Sequence, residues 1–209
     1  MVKNILVDSL DLEGGVLCLD FVNTTSDRRH APITDYFGDI EGFLYWAVNK
    51  AGIIEEKRAL SLEKIIKADR PKADVFFKEA IDLRELLHDM FYRLSRQEKI
   101  TASQLNSFNK VLREYLPQTQ LQIKDEGFES VCSCEASSLQ QLTAPIVQSA
   151  HELLLSDKLG RIKQCGSNNC GWLFLDTSKN GKRHWCSMKT CGSKDKAIKY
   201  YYRKKEEQQ

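Results

Sequence analysis

The sequence predicts an α+β fold: a mostly helical N-terminal body with one β-hairpin, then a small β-ribbon and a C-terminal helix. Three observations carry this reading. Apolar residues recur at helical spacing through residues 38–116. The period changes to alternation at 119–134. Four of the seven cysteines fall late in the chain, as two pairs of equal spacing.

The elements follow in order. Residues 14–24, GGVLCLDFVNT, are short and apolar, and periodicity alone leaves buried strand and helix open. Leu17, Phe21 and Thr24 lie at i, i+4 and i+7, which leans to helix. Residues 38–54 are clearer. Asp39 is a natural N-cap, Ile40, Phe43, Leu44 and Ala47 form the apolar stripe, and Gly52 ends the segment. Trp46 falls in the expected core. A second helix is expected over 61–69 with Ser61 as its N-cap, and Pro71 marks a boundary. Residues 72–97 carry the longest stripe: Phe76, Ala80, Leu83, Leu87, Met90 and Leu94. Residues 103–116 follow, with Leu105, Phe108, Leu112 and Leu116 inward, and Pro117 closes them. Leu121 and Ile123 then alternate with polar residues, and Asp125-Glu126-Gly127 supplies a turn, which reads as a hairpin. The next helix spans about 138–156 and contains Pro145, which should kink or divide it. Residues 156–163 read as a hinge. Domains are therefore expected at 1–156 and 157–209.

Charge supports that division. Of the chain's 31 Lys/Arg and 29 Asp/Glu, residues 156–209 hold 13 and 5, a net of +8. The remainder holds 18 and 24, a net of −6. A basic end on an acidic body suggests two parts with different partners. No run approaches the roughly 20 apolar residues that span a bilayer. The N-terminus meets acidic residues too early for a signal peptide. A cytoplasmic location is expected, where paired cysteines point to metal before disulfides.

Cys165 and Cys170 are spaced C-x4-C, and Cys186 and Cys191 repeat the spacing. Two short loops thus deliver two sulfurs each, and the fifteen-residue link is long enough to fold back. Four thiolates complete the tetrahedral shell of one Zn²⁺ per chain. A full thiolate shell leaves no open position, so the site reads as structural. His184 is near enough in sequence to compete as a ligand. The link offers a strand at Trp172, Phe174 and Leu175, a turn at Ser178-Lys179-Asn180-Gly181, and a return from Trp185. A zinc-held β-ribbon is the expected product. Gly166, Gly171, Ser187 and Gly192 follow the four cysteines and let backbone approach sulfur. Cys18, Cys132 and Cys134 read as packing thiols.

Ser193 can cap a last helix, with Ala197 and Tyr201 packing inward and Ile198 and Tyr202 beside them. Lys194, Lys196, Lys199 and Arg203 recur along it. With Lys179, Lys182, Arg183 and His184 from the ribbon turn they form a candidate nucleic-acid surface. A merely solvated basic face is the alternative.

The module resembles a CGNR zinc finger. The matching features are both C-x4-C pairs, WLFLDTSKNGKRHWCS, and CGSK followed by a helix ending YYYRKK. The N-terminal part resembles the ABATE domain in LCLDFVNT (17–24), FLYWAVNKAGII (43–54) and DLRELLHDMF (82–91). The resemblance implies a bacterial transcription regulator linked to stress responses, with a DNA-binding finger and a sensing N-terminal domain. It also implies that Cys165, Cys170, Cys186 and Cys191 hold the zinc. One departure stands out. The family's Cys-Gly-Asn-Arg is Cys191-Gly192-Ser193-Lys194 here, which keeps a positive charge but loses the planar fork of arginine.

In the body, Asp20, Asn23, Thr24 and Arg28, with Asp27 and Arg29 nearby, are candidates to line a pocket for a small-molecule effector. The alternative is that they pin the first element to its neighbours. No nucleophile–base pair, glycine-rich phosphate loop or carboxylate cluster points to catalysis. The expectation is a zinc-dependent DNA-binding regulator, not an enzyme, plausible as a homodimer because one finger contacts few base pairs. A protein-interaction scaffold is the second reading.

Overall fold

The computed structural model describes residues 3–115, 119–124, 127–132 and 138–206. Leu116, Pro117, Asp125, Glu126 and Cys134 lie outside them, as do the side chains of Leu121, Cys132 and Tyr202.

The body is built on helices α1 (Ile5–Asp8), α2 (Leu17–Val22), α3 (Ile40–Asn49), α4 (Glu56–Ala68), α5 (Arg70–Ser95) and α6 (Ala102–Tyr115). The hairpin β1 (Thr119–Lys124) and β2 (Gly127–Cys132) is antiparallel, with Leu121 opposite Ser130. A 3-10 turn over Leu139–Leu142 leads into α7 (Ala144–Leu155). Two three-residue strands follow, β3 (Ile162–Gln164) and β4 (Leu173–Leu175), and α8 (Ser193–Glu206) ends the described chain.

Most local signals act as expected. Residues 17–22 are helical, and Asp39 Oδ1 accepts the Gly42 N–H at 2.8 Å as an N-cap. Pro145 divides its segment: the 3-10 turn precedes it and α7 begins around it, where a missing N–H costs nothing. Four details differ. Ser193 is the first residue of α8 and not its N-cap, and its Oγ donates to Met188 O at 3.0 Å. Ser61 is no cap, because α4 starts at Glu56 and its buried stripe, Ala59, Leu62 and Ile66, already runs through that turn. Leu105 is exposed, and Phe108 alone is fully buried on α6. Ala197, Ile198 and Tyr201 are exposed as well, so the inward face expected on α8 is not buried.

The core centres on four aromatic rings. Phe21, Phe37, Phe43 and Trp46 lie with ring centroids 5.0 to 6.1 Å apart and are essentially fully buried. Each ring removes a large apolar surface from water, and the offset tilts suit their quadrupoles. The α5 residues Ala80, Leu83, Leu87 and Met90 complete the core as the stripe predicts. Arg84, on the same helix, is only 2% exposed. Its guanidinium bonds Thr24 Oγ1 at 3.1 Å and Asp35 Oδ2 at 2.6 Å and lies over the Phe37 ring. A buried guanidinium persists only with such partners.

The expected ribbon forms with a different partner. Strand β4 pairs antiparallel with β3, Lys163 opposite Phe174, and residues 176–187 form no return strand. The pleat of β4 explains the choice. Leu173 and Leu175 point one way and join Ile162 in the core of the body. Phe174 points the other way, among Cys165, Cys170 and Cys186. One strand therefore serves two cores, and residues 156–163, read from sequence as a hinge, run directly into its partner β3.

Candidate metal centre and basic surface

The four cysteines come from four different local structures. Cys165 follows β3, and Cys170 closes the loop before β4. Cys186 follows a polar loop, and Cys191 sits in a wide helical turn, Met188–Gly192, that opens α8. Their sulfurs all lie within 4.8 Å of one another. Cys170 and Cys186 Sγ are 3.6 Å apart, and Cys186 and Cys191 Sγ 3.7 Å. A tetrahedron with metal–sulfur bonds of about 2.3 Å has edges of about 3.8 Å. A disulfide needs about 2.05 Å. The cluster has the dimensions of a tetrathiolate zinc site, and its chemistry agrees. Side-chain bonds from Cys170 and Cys186, with the backbone N–H groups of Cys186 and Ser167, pull the Cys165 thiol well below its ordinary value. Beside that charge, Cys170 and Cys186 are pushed up. Four sulfurs this close cannot all ionise without a cation between them. One structural zinc resolves the conflict, and Cys165, Cys170, Cys186 and Cys191 would hold it.

The glycines beside the cysteines have a further cause. An added Cβ at Gly166 would collide with the His184 ring, and one at Gly171, whose φ is +69°, would press into Asp27 Oδ1. His184 is thus packed over the first loop, outside the sulfur cluster. Its carbonyl accepts the Gly166 N–H at 2.9 Å.

Asp176 organises the polar loop. It is completely enclosed and accepts from Ser178 N (3.0 Å), Ser178 Oγ (2.6 Å), Arg183 N (2.8 Å) and Lys163 Nζ (2.8 Å). Burial alone would raise its carboxyl, but these donors, Lys163 first, hold it well below the usual carboxylate range. Lys163 Nζ also donates to Gly181 O and Arg183 O, so all three of its protons are used.

The candidate nucleic-acid residues divide. Lys179, Lys182, His184, Lys194, Lys196, Lys199 and Arg203 are exposed. Lys199 pairs with Asp195 at 2.8 Å. Arg183 has work inside the finger: it stacks over Phe174 at 4.7 Å and donates to Cys186 O. Lys189, which the sequence reading passed over, is exposed between the third and fourth cysteines.

The candidate effector residues are all engaged. Asp20 Oδ1 accepts the Gly14 N–H at 2.7 Å. Asn23 bonds the backbone of Leu173 in both directions, at 2.8 and 2.9 Å. Thr24 bonds Phe21 O and Arg84, and Arg28 forms a two-bond pair with Glu85. Cavities of about 510, 480 and 560 Å³ lie elsewhere, against α3 and α4, α5 and α6, and α4 and α5, and none is lined by these four residues.

Fold and site together define a zinc-finger protein with a helical N-terminal body. Residues 161–204 match the CGNR zinc finger. Residues 15–157 match the ABATE family, described as "Putative stress-induced transcription regulator". The chain belongs to the ABATE family and carries a C-terminal CGNR finger. Both families are non-enzymatic in kind. No curated protein matches the chain. Among the described residues no helix is long and apolar enough to cross a membrane.

Proposed function

We propose that the chain is a zinc-dependent DNA-binding transcription regulator of the cytoplasm, with residues 157–209 contacting DNA and residues 1–156 receiving a stress signal or small effector. The observation that carries this reading is the exposure of α8. Lys194, Lys196, Lys199, Arg203, Lys204 and Lys205 are exposed on a helix that begins two residues after the fourth zinc ligand. Lys179, Lys182, Lys189 and His184 are exposed on the loops of the same finger and add charge. Clustered cations supply sequence-independent affinity through counterion release. Lys194 in place of the family arginine favours backbone contact over two-bond reading of a base edge. A homodimer would double the short footprint of one finger.

A mobility-shift titration over salt tests the reading. Zinc-loaded protein should bind duplex DNA at low salt and weaken steeply as salt rises. The double variant Lys182→Glu/Lys196→Glu should bind more weakly with a shallower salt slope. Absence of binding by the zinc-loaded protein at low salt would overturn the reading. Arg183 is unsuitable for this test, because its guanidinium supports the finger itself.

A scaffold role has its own support. Ile198, Tyr200 and Tyr201 are 50%, 52% and 64% exposed, an apolar offering on a basic helix. If α8 docks a protein instead, Tyr201→Ala should abolish that binding, and the charge reversals should leave DNA affinity unchanged.

A further inference from the structure

Residues 23–30 of the body grip the first zinc loop along its length. Asn23 fixes the Leu173 backbone, and Trp172 Nε1 donates to Thr25 O at 2.8 Å. Asp27 forms a two-bond pair with Arg29, Oδ1 to Nε at 2.8 Å and Oδ2 to Nη2 at 2.7 Å. The same Nη2 donates to Ser167 O at 2.8 Å, inside the loop between Cys165 and Cys170. His30 Nε2 bonds Asn168 O at 3.1 Å. Gly171, directly after the second ligand, lies close against both Asp27 and Arg29. These contacts join residues about 140 positions apart in sequence.

We infer that Arg29, oriented by Asp27, is a positioning residue of the zinc centre, so that the N-terminal body sets how tightly the finger keeps its metal. Two physical effects support it. One divalent cation with four thiolates leaves the cluster negatively charged, and a guanidinium held beside the Cys165–Cys170 loop by its bonds to Asp27 and Ser167 O offsets that charge. The bond to Ser167 O also holds the loop in the shape that brings its two sulfurs together, lowering the entropy lost on metal binding. Asp27 is nearly enclosed, and its pair with Arg29 overcomes burial and holds its carboxyl below the ordinary value. Nothing in this inference depends on DNA as the partner.

The test is zinc retention by the full-length protein against a chromogenic chelator, with Arg28→Ala as the matched control. Arg28 lies one residue away and forms a comparable ion pair, with its bonds made to Glu85 and Val22 O in the body. Arg29→Ala should lose zinc roughly tenfold more readily than wild type. Arg29→Lys should fall between, and Arg28→Ala should stay near wild type. Circular dichroism of each zinc-loaded protein identifies a variant that fails to fold, and Arg29→Gln, which keeps one donor, then replaces Arg29→Ala. Hydrogen exchange gives a second readout: zinc removal from the wild type should expose the Ser26 and Tyr36 amides, which are bonded to Thr34 O and Thr24 O. Wild-type zinc retention by a folded Arg29→Ala or Arg29→Gln, or an equal loss in Arg28→Ala, overturns the inference.

Discussion

The body and the finger solve the same problem with different materials. The body buries four aromatic rings and a long aliphatic stripe, and water exclusion holds it together. The finger has one fully buried ring, Phe174, among its cysteines, and only a small apolar cluster around it. It relies on metal–sulfur bonds, on the Asp176–Lys163 node, and on strand β4, whose odd-numbered side chains it lends to the body. The difference teaches where each part is vulnerable. Removing apolar volume weakens the body, while the finger depends on a few polar and metal contacts, each of large effect.

Zinc removal should have the largest effect. Structural zinc contributes on the order of 10 kcal/mol of folding free energy in small fingers. Because Ile162, Leu173 and Leu175 rest in the core of the body, the two parts should not separate cleanly at residue 157. With chelator present, hydrogen exchange should open residues 176–192 first, while the β3–β4 ladder keeps its protection longer. Simultaneous opening of the ladder and the polar loop would show that β4 belongs to the finger alone, and would break the comparison drawn above.

The two parts also differed in how far they could be read from sequence. The body helices, the hairpin and the four metal ligands depend on spacing within a few residues, and were legible. The rest depends on partners far apart in the chain. Asn23 and Leu173 are 150 residues apart, Arg29 and Ser167 are 138, and Arg84 and Thr24 are 60. A polar residue in an apolar segment shows that a partner is needed and not which one, so Asn23 and Thr24 fit a ligand pocket as well as an internal contact. The pairing of β4 with β3 was hidden for a related reason. Asn180-Gly181 does turn, with Gly181 N bonded to Ser178 O, but Asp176 and Lys163 take up the polar groups that a return strand would need. The inward face expected on α8 is exposed, with Ile198 and Tyr201 on it, and spacing within the helix carries no sign of that.

Within the finger, the comparison sharpens at Asp176. Asp176→Asn leaves the Lys163 ammonium without its counter-charge and should destabilise the zinc-loaded protein by about 3 kcal/mol. Because the carboxyl is held below its unfolded value, the stability it contributes is present above about pH 4 and is lost as pH falls. The variant should therefore lose part of the acid sensitivity of the wild type, measured by denaturant midpoints from pH 7 down to pH 3. A variant with unchanged stability would remove Asp176 from its place as the organising group of the loop.

Asp20 should give the smallest effect, and one of opposite sign. It sits in the body at the junction: it accepts the Gly14 N–H, and Gly14 O accepts the Leu175 N–H at 2.8 Å. Burial pushes its carboxyl up to about 6, the Gly14 bond resists, and the charge of Glu13 adds to the rise. A carboxyl raised above its unfolded value of about 3.9 contributes stability below that pH and loses it as pH climbs through about 6. At neutral pH the ionised group is thus a cost, which Asp20→Asn removes while keeping an oxygen for Gly14. The variant should gain on the order of 1 kcal/mol at pH 7 and lose the decline in stability between pH 4 and 6. A loss of stability at pH 7 would show that the charge itself holds the Gly14 turn, and with it the edge of β4. The junction would then depend on charge as the finger does, although it lies in the apolar half of the molecule.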